Sequence, residues 1–305
     1  MGTVTHEHRG IFTLSEPLLF LSREPELRIE SLGRDLWTVT DGVYRTLFSV
    51  GKEGVLAFDT FGTPGAARAY RRKIAEVAPS RAIRTVIYSH DHLDHAGYAA
   101  DLAPDAEIIA DEATARVIAL RNADGQLKPT RTVRGERNAM SIDGLDFELL
   151  NPGPTHGTGN IAAYFPDRRL LFMSDTVLPN ACYGLLPDYH IANFVRLMRE
   201  LSRLDFTTFV PGRYPVMTRD QFLEGCDYFE ALQDVTQQAF AEGVPVWILE
   251  AVTGYAKQHL RPRFGRLDGF DTHVGLSAFR IIHHYLMGGY GLEDTPAVGL
   301  PGSSV

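Results

Sequence analysis

Three histidines and two aspartates lie within six positions of this sequence, directly after a short apolar run. The run, residues 85–88, is rich in β-branched side chains and typical of a buried strand, and residues 90–95 after it read HDHLDH. Alternate residues of an extended chain project to the same side, so His90 and His92 can hold one metal ion between them. This cluster constrains the fold most, because it requires a strand whose end opens into a metal site.

The residue types in the cluster indicate which metal it could hold. A turn after His92 would bring Asp94 and His95 next to the first two histidines. Imidazole together with carboxylate suits zinc or iron, whereas magnesium and calcium prefer oxygen ligands alone. The alternative is a solvated polar loop in which Asp94 caps the following helix.

The order of predicted elements indicates an α/β core followed by helices. The strand patterns cover residues 36–40, 46–50, 55–59, 85–88, 107–110, 145–150, 161–165, 170–173 and 207–210, and helical patterns cover 64–78, 111–120 and 192–204. Only helical patterns follow residue 217, over 218–241, 244–259 and 272–287. This order predicts an N-terminal arm over residues 1–30, a core domain over 31–235 and a C-terminal helical extension over 236–305.

Composition argues against several classes of protein. The chain has 305 residues, with 30 Lys and Arg against 38 Asp and Glu and a net charge of −8, which is unfavourable for binding nucleic-acid phosphates. No apolar run approaches the roughly 20 residues of a membrane span, and residues 1–30 lack the basic and apolar regions of a secretory signal. The two cysteines, Cys182 and Cys226, lie far apart and predict separate thiols. We therefore expect a cytoplasmic protein that binds neither nucleic acid nor membrane.

The histidine cluster resembles the metal-binding motif of the metallo-β-lactamase-fold hydrolases, and the resemblance spans roughly residues 34–230. Asp59 matches the family's strand-end aspartate, His156 its second histidine motif, and Asp175 the aspartate that bridges two metals in many members. The resemblance implies an α/β fold, an αββα sandwich of two mixed β-sheets flanked by helices. Residues 31–235 would then be the catalytic domain, with the metal site at one edge of the sheets.

The resemblance also implies roles for individual residues. The first metal position would consist of three histidines: His90, His92 and His156. Asp94 and His95 would begin the second position, with Asp175 between the two. Three histidine ligands leave one coordination position open for water, as in catalytic metal sites. The metal would generate a hydroxide nucleophile, and Asp94 would orient the water or accept its proton.

One position departs from the family pattern. Members usually carry Pro-Gly-His after the last strand, whereas this chain has Pro-Gly-Arg, ending at Arg213. Arginine stays protonated and has no lone pair to donate to a metal. We therefore expect one zinc or iron ion per chain rather than two, with Arg213 paired with Asp94 or Asp175 and stabilising a developing oxyanion. The alternative is that Arg213 points to solvent and another histidine fills the position.

Residues outside the motif are candidates for contact with substrate and with a second subunit. Tyr183 and His190 lie in the loop after the predicted bridging aspartate, Tyr214 follows the arginine, and His283 lies in the C-terminal helices. These four residues are candidates for contact with substrate. The alternative is that Tyr183 and His190 only fill the loop and that His283 packs in the ordinary way or replaces the missing ligand. We predict no cofactor-binding residues beyond the metal ligands. Residues 272–287 carry more apolar side chains than one stripe against a core requires. This excess predicts a homo-oligomer formed through the arm and the C-terminal helices.

The predicted function is hydrolysis of a small molecule. A metal-bound hydroxide would attack a small, partly apolar ester, lactone, thioester or activated ether. One alternative is an iron-dependent redox enzyme on the same fold, because histidine and carboxylate ligands do not distinguish zinc from iron. Another is a non-catalytic subunit of a metallohydrolase complex, since one ligand position is replaced. The acidic composition opposes a nuclease.

Overall fold

Two β-sheets pack face to face in residues 24–287, the part of the chain that the computed structural model describes. The first sheet contains β1 (Arg28–Ser31), β2 (Leu36–Thr40), β3 (Arg45–Val50), β4 (Val55–Phe58), β5 (Ile83–Ile87), β6 (Glu107–Asp111) and β7 (Arg131–Val133), side by side in that order. Strands β1 to β4 pair antiparallel, whereas β4 to β7 pair parallel. The first sheet is therefore mixed.

The second sheet is also mixed. Its strands are β8 (Arg137–Ile142), β9 (Leu145–Leu150), β10 (Ala162–Phe165), β11 (Leu170–Phe172), β12 (Thr208–Val210) and β13 (Met217–Thr218). They lie side by side in the order β13-β12-β11-β10-β9-β8. Strand β11 pairs parallel with β12, and the other neighbours pair antiparallel. Crossing from β11 to β12 in parallel requires a long connection, and this connection contains a helix.

Helices cover the outer faces of both sheets. The outer face of the first sheet packs against α1 (Pro64–Val77), α2 (Leu93–Ala96), α3 (Ala99–Leu102) and α4 (Glu112–Arg121). The outer face of the second packs against α5 (Ile191–Leu201), α6 (Arg219–Ala241), α7 (Leu249–Phe264) and α8 (Phe270–Met287). This arrangement confirms the predicted αββα sandwich with C-terminal helices. No helix within residues 24–287 combines the length and apolar character needed to cross a membrane.

The core between the sheets is built from alternating strand residues. In β5, Val86 packs towards α1, whereas the next residue, Ile87, packs between the sheets. The period of two in a strand explains why both faces of this buried strand are apolar. Between the sheets, the ring of Phe58 lies 5.3 Å from that of Phe172 and 6.1 Å from that of Phe147. These edge-to-face aromatic contacts fix the spacing of the two sheets next to the end of β4.

The structure differs from the predicted elements at several places. Strand β1 begins within the predicted arm and pairs with β2, while residues 1–23 of that arm lie outside the described residues. Strands β7 and β8 were not predicted, because their exposed residues are polar and they lack a continuous apolar pattern. Helix α7 begins at Leu249 rather than at residue 244, because a turn closed by the Ile248 N–H and the Pro245 carbonyl oxygen precedes it.

The predicted boundary between core and extension falls inside a continuous helix. Residues 235 and 236 both lie in α6, and α6, α7 and α8 share one apolar core with the second sheet. The C-terminal helices are therefore packed onto the sandwich, and the domain bounds stay a prediction.

Substitution of Leu149 by alanine should destabilise the fold strongly. Leu149 is fully buried between the sheets, whereas Leu120 on α4 is 82% exposed and provides a matched control. Leu149→Ala should lower the free energy of unfolding by about 2–5 kcal/mol, and Leu120→Ala by about 0.5 kcal/mol or less. Urea denaturation followed by circular dichroism measures both, and equal losses would contradict the assigned core.

Candidate metal centre

Three histidines from two loops meet at one edge of the sandwich. His90 and His92 follow the end of β5, and His156 lies in the loop that leaves β9. The ring centroids are 4.6 Å apart for His90 and His92, 4.5 Å for His92 and His156, and 5.0 Å for His90 and His156. One nitrogen from each ring lies within 4.8 Å of the others. The structure thus brings together the three histidines of the predicted first metal position.

A second group adjoins the first and shares His90 with it. It also includes His95 on α2 and Asp175, which follows β11, and one ligand atom from each lies within 4.8 Å of the others. Asp175 Oδ1 lies 3.3 Å from His95 Nε2, and its Oδ2 lies 3.5 Å from His156 Nε2. The carboxylate of Asp175 therefore stands between the two groups.

A chain of hydrogen bonds fixes the tautomer of His90. Asp59, at the end of the neighbouring strand β4, accepts hydrogen bonds from the backbone N–H and the hydroxyl of Ser89, both at 2.8 Å. Because the hydroxyl hydrogen is used there, the Ser89 oxygen accepts from His90 Nδ1, which lies 2.8 Å away. The Nε2 lone pair of His90 is then left for a metal. Burial raises the pKa of Asp59 to about 6, and the charge of His95 and the Ser89 hydrogen bonds oppose that rise.

Asp188 orients His92 in the same way, and the sequence analysis did not identify it. Its Oδ2 lies 2.8 Å from His92 Nε2. This hydrogen bond lowers the pKa of Asp188, so the ionised carboxylate accepts a hydrogen bond from Nε2 and leaves Nδ1 of His92 for a metal. Burial would lower the pKa of His92, but the Asp188 hydrogen bond and nearby carboxylates raise it. The only signal in the sequence was its position in the loop after Asp175.

The histidines have the unused donor atoms that a metal site requires. His90 Nε2 and both ring nitrogens of His156 are buried and make no hydrogen bond in the described residues. Burial lowers the pKa of both imidazoles, that of His90 well below its usual value, so both rings are neutral and keep a lone pair. Buried polar atoms in folded proteins are rarely unpaired, so this set of residues fits a metal ion.

Arg213 points into the site instead of towards solvent. It follows β12, and its Nε donates to Asp175 Oδ1 at 2.8 Å and Oδ2 at 2.7 Å, while Nη2 donates to Asp94 Oδ2 at 2.6 Å. Its guanidinium carbon lies 4.5 Å from the ring centroid of Tyr44, whose hydroxyl donates to Asp94 at 3.3 Å. The arginine thus pairs with both carboxylates that would hold a second metal.

The surroundings of Asp175 and Asp94 keep both carboxylates ionised beside Arg213. Burial would raise the pKa of Asp175, but the charge of His95 and the close approach of the His156 imidazole lower it well below its usual value. Burial also acts to raise the pKa of Asp94, and the charges of His95 and Arg213 outweigh it. Asp94 lies in the first turn of α2, yet its carboxylate binds Arg213 and makes no helix cap. Both carboxylates are therefore ionised beside a permanent cation.

The predicted substrate contacts lie in other environments. Tyr183 is buried in the core, where its ring stacks against that of Tyr228 and its hydroxyl accepts a hydrogen bond from Leu178 N–H. His190 is buried and caps α5 through Nδ1. The position of neither residue supports the predicted contact with substrate, because packing and capping account for both side chains.

The other two predicted contacts, His283 and Tyr214, differ in burial. His283 is buried with its ring 4.6 Å from that of Trp247, and its Nδ1 interacts with the carbonyl oxygen of Phe279. That position does not support contact with substrate. Tyr214 is half-buried next to Arg213 in the chain, and its substrate contact stays a prediction.

Residues 40–213 match the family model of the metallo-beta-lactamase superfamily. The chain belongs to this superfamily. The family resemblance drawn from the sequence is thereby confirmed, and it supports a metal-dependent, hydrolase-type enzyme in broad terms.

Two curated relatives align over most of the chain. It is 43% identical over 295 residues to the 2,4-dinitroanisole O-demethylase subunit alpha of Nocardioides sp. (strain JS1661), covering 96% of this chain and 90% of the relative. It is 36% identical over 269 residues to subunit beta from the same strain, covering 88% of this chain and 84% of the relative. Both relatives are thus named as subunits of one enzyme.

Solved structures share the fold at low sequence identity. A metallo-beta-lactamase from Pontibacter korlensis matches with a TM-score of 0.60 and 18% identity, covering 67% of this chain and 99% of the lactamase. The sec-alkylsulfatase Pisa1 from Pseudomonas sp. matches with a TM-score of 0.68 and 15% identity, covering 88% of this chain and 52% of the sulfatase. The chain thus spans about half the length of the sulfatase, and these likenesses show the fold alone.

Proposed function

We propose that this protein is a metal-dependent hydrolase that cleaves the methyl ether of an electron-poor aromatic ring. The observation that carries the proposal is the set of buried, unpaired histidine nitrogens around Asp175. The names of the two relatives narrow the predicted substrate classes from ester, lactone, thioester or activated ether to the last of these. The partly apolar ring and small size of such a substrate agree with the sequence analysis.

The reaction needs only water as co-reactant. Electron-withdrawing nitro groups make the ring carbon that carries the methoxy group electrophilic. The water oxygen forms a bond to that carbon, the bond from the carbon to the methoxy oxygen breaks, and the leaving methoxide takes up a proton from the water. The products are a phenol and methanol, so no electrons are exchanged with an oxidant.

Residues of this chain supply binding and proton transfer. A zinc or iron ion on His90, His92 and His156 would lower the pKa of a water ligand towards neutrality. The Asp94 carboxylate is ionised, 39% exposed and hydrogen-bonded on Oδ2 only, so its other oxygen can orient water or accept its proton. Arg213 Nη1 makes no hydrogen bond in the described residues and can donate to a developing negative charge.

The metal-loaded protein should convert 2,4-dinitroanisole into 2,4-dinitrophenolate and methanol, with equal rates in air and under nitrogen. His92→Ala should lose metal and lower kcat/KM by at least about 10³-fold, because a metal ligand is removed. His259→Ala, an exposed histidine on α7, is the matched control and should change neither. Elemental analysis measures the metal content, and the absorbance of 2,4-dinitrophenolate measures kcat/KM.

Three outcomes would contradict this proposal. A requirement for oxygen would favour the iron-dependent redox alternative. Metal binding without any turnover by the purified chain would favour a non-catalytic subunit. Retention of both metal and turnover by His92→Ala would remove the catalytic assignment.

We also propose that one metal ion binds per chain, because the guanidinium of Arg213 supplies the positive charge between Asp175 and Asp94. Elemental analysis of the purified protein should give about one zinc or iron per chain. Arg213→His should raise this value towards two, since it restores a ligand and removes a repelling cation. Arg169→His, at an exposed ion pair with Asp205, is the control and should leave the metal content at about one ion per chain. Two tightly held metals in the unmodified protein would contradict the proposal.

Assembly with a second copy of this chain is supported by exposed apolar side chains on α6 and α8 and in the connection before α7. Phe240, Trp247, Ile248 and Leu286 are all exposed, and isolated monomers rarely present such clusters. Light scattering at micromolar concentration should give a multiple of the 33.9 kDa chain mass, and Trp247→Asp should shift the mass towards the monomer. Leu120→Asp, on α4, is the exposed control. A monomeric unmodified protein would contradict self-association and favour a heteromeric partner.

A further inference from the structure

Arg280 on α8 is a half-buried cation without a partner. Within residues 24–287 its guanidinium makes no hydrogen bond and no ion pair. Every other arginine of this part of the chain that is not exposed has such a partner, namely Arg45, Arg68, Arg168, Arg213 and Arg219. Partial burial of a charged group costs free energy that pairing normally offsets. Binding of a ligand would account for the N–H donors of Arg280 that have no partner.

The position of Arg280 on its helix places it beside the loop that carries Asp188. Residues 273, 277, 280 and 284 share one face of α8, because they are spaced by three or four positions. Ser277 Oγ donates to the Gly184 carbonyl oxygen at 2.7 Å, and the ring of His284 lies 5.3 Å from that of His190. This face of α8 therefore packs along residues 184–190, and Arg280 lies between these two contacts.

The residue of that loop that interacts with Arg280 is Asp188. Burial lowers the pKa of Arg280, and the charge of Asp188 opposes this effect. No oxygen of Asp188 lies within ion-pair distance of the guanidinium, and the carboxylate is instead hydrogen-bonded to His92 Nε2. The guanidinium of Arg280 thus lies near Asp188, the residue that orients His92. Its N–H groups donate no hydrogen bond within residues 24–287.

The same side of the metal centre is the one open to solvent. The side chains of His90, His95, His156 and Asp175 are at most 4% exposed, whereas those of Asp188, Asp94 and His92 are 36%, 39% and 18% exposed. A substrate that reaches the metal centre must approach past these three residues. Asp188, whose charge acts on Arg280, forms one side of this approach.

We propose that Arg280 is a specificity-determining residue whose guanidinium donates hydrogen bonds to a ring nitro group of the substrate. The proposal rests on the proposed ether hydrolysis. When water adds to the ring carbon, negative charge spreads through the ring onto the nitro oxygens. The planar guanidinium fork matches two oxygens on one atom, so it binds the nitro group more tightly as this charge develops.

Two substrates separate this role from a structural one. 2,4-Dicyanoanisole is also electron-poor and neutral, but it lacks a pair of oxygens for the fork. Arg280→Gln should lower kcat/KM for 2,4-dinitroanisole by about 10²–10³-fold, as the loss of a donor to a developing charge does. For the dicyano compound the loss should stay below about tenfold. Arg203→Gln, an exposed arginine, is the control and should change neither value.

Binding of 2,4-dinitrophenolate gives a readout that does not depend on turnover. Its dissociation constant, measured by the change in its visible absorbance, should rise by about 10–100-fold in Arg280→Gln, because a hydrogen bond to a charged group is lost. Metal content should stay the same as in the unmodified protein. If the unmodified protein binds dinitrophenolate through Arg280 but turns over no ether, the proposed reaction fails while the binding site stands.

Two results would overturn the assignment of Arg280. An equal loss of kcat/KM for both ethers in Arg280→Gln would indicate that the arginine acts on Asp188 and His92. Unchanged affinity for dinitrophenolate together with unchanged kcat/KM would show that the guanidinium does not contact the ring substituents.

Discussion

The ion pairs of Arg213 with Asp175 and Asp94 join the two halves of the sandwich at the metal centre. Arg213 follows a strand of the second sheet, and Asp94 lies on α2 after a strand of the first. A buried carboxylate such as Asp175 requires a nearby cation, because an unpaired charge in the interior costs several kcal/mol. The chain around Arg213 is held in turn by the first sheet, where Arg45 N–H donates to the Gly212 carbonyl oxygen at 2.7 Å. The position of the ligands therefore depends on this pairing.

The backbone stores strain at the same place. Asp59, Asp175 and Asp188 have left-handed φ angles of 48°, 52° and 59°, a conformation that costs roughly 1–2 kcal/mol for a residue with a side chain. Each of these carboxylates contacts a histidine of the centre or a residue that orients one. The turns point the carboxylates inwards, and their hydrogen bonds and ion pairs offset the cost. Strained backbone at these positions is typical of sites that hold ligands in fixed orientations.

Spacing along the chain predicted two neighbouring histidines at the end of one strand. These are His90 and His92. The order of strand and helix patterns predicted an α/β core followed by helices, whereas the sandwich architecture was implied by the family resemblance. Asp188 was beyond prediction, because its contact with His92 joins residues 96 positions apart through a loop whose turn has no sequence signature. The proposed role of Arg280 could not be predicted from the sequence either, because it depends on how α8 packs against the loop that carries Asp188. Strands β7 and β8 were missed since their exposed residues interrupt the apolar pattern.

Under the proposed function, one metal with Arg213 beside it would place positive charge differently from two metals. A second metal would stabilise charge at the leaving group, next to Asp175 and Asp94. Methoxide is a poor leaving group, so a nitroaryl ether reacts because the ring accepts the charge of the attack before the methoxy bond breaks. That charge moves to the nitro oxygens, away from the metal. Under the proposed function, a fixed guanidinium at Arg213 would therefore suffice beside the metal. The cation that decides the choice of substrate would be Arg280, on the face of α8 that packs along the Asp188 loop.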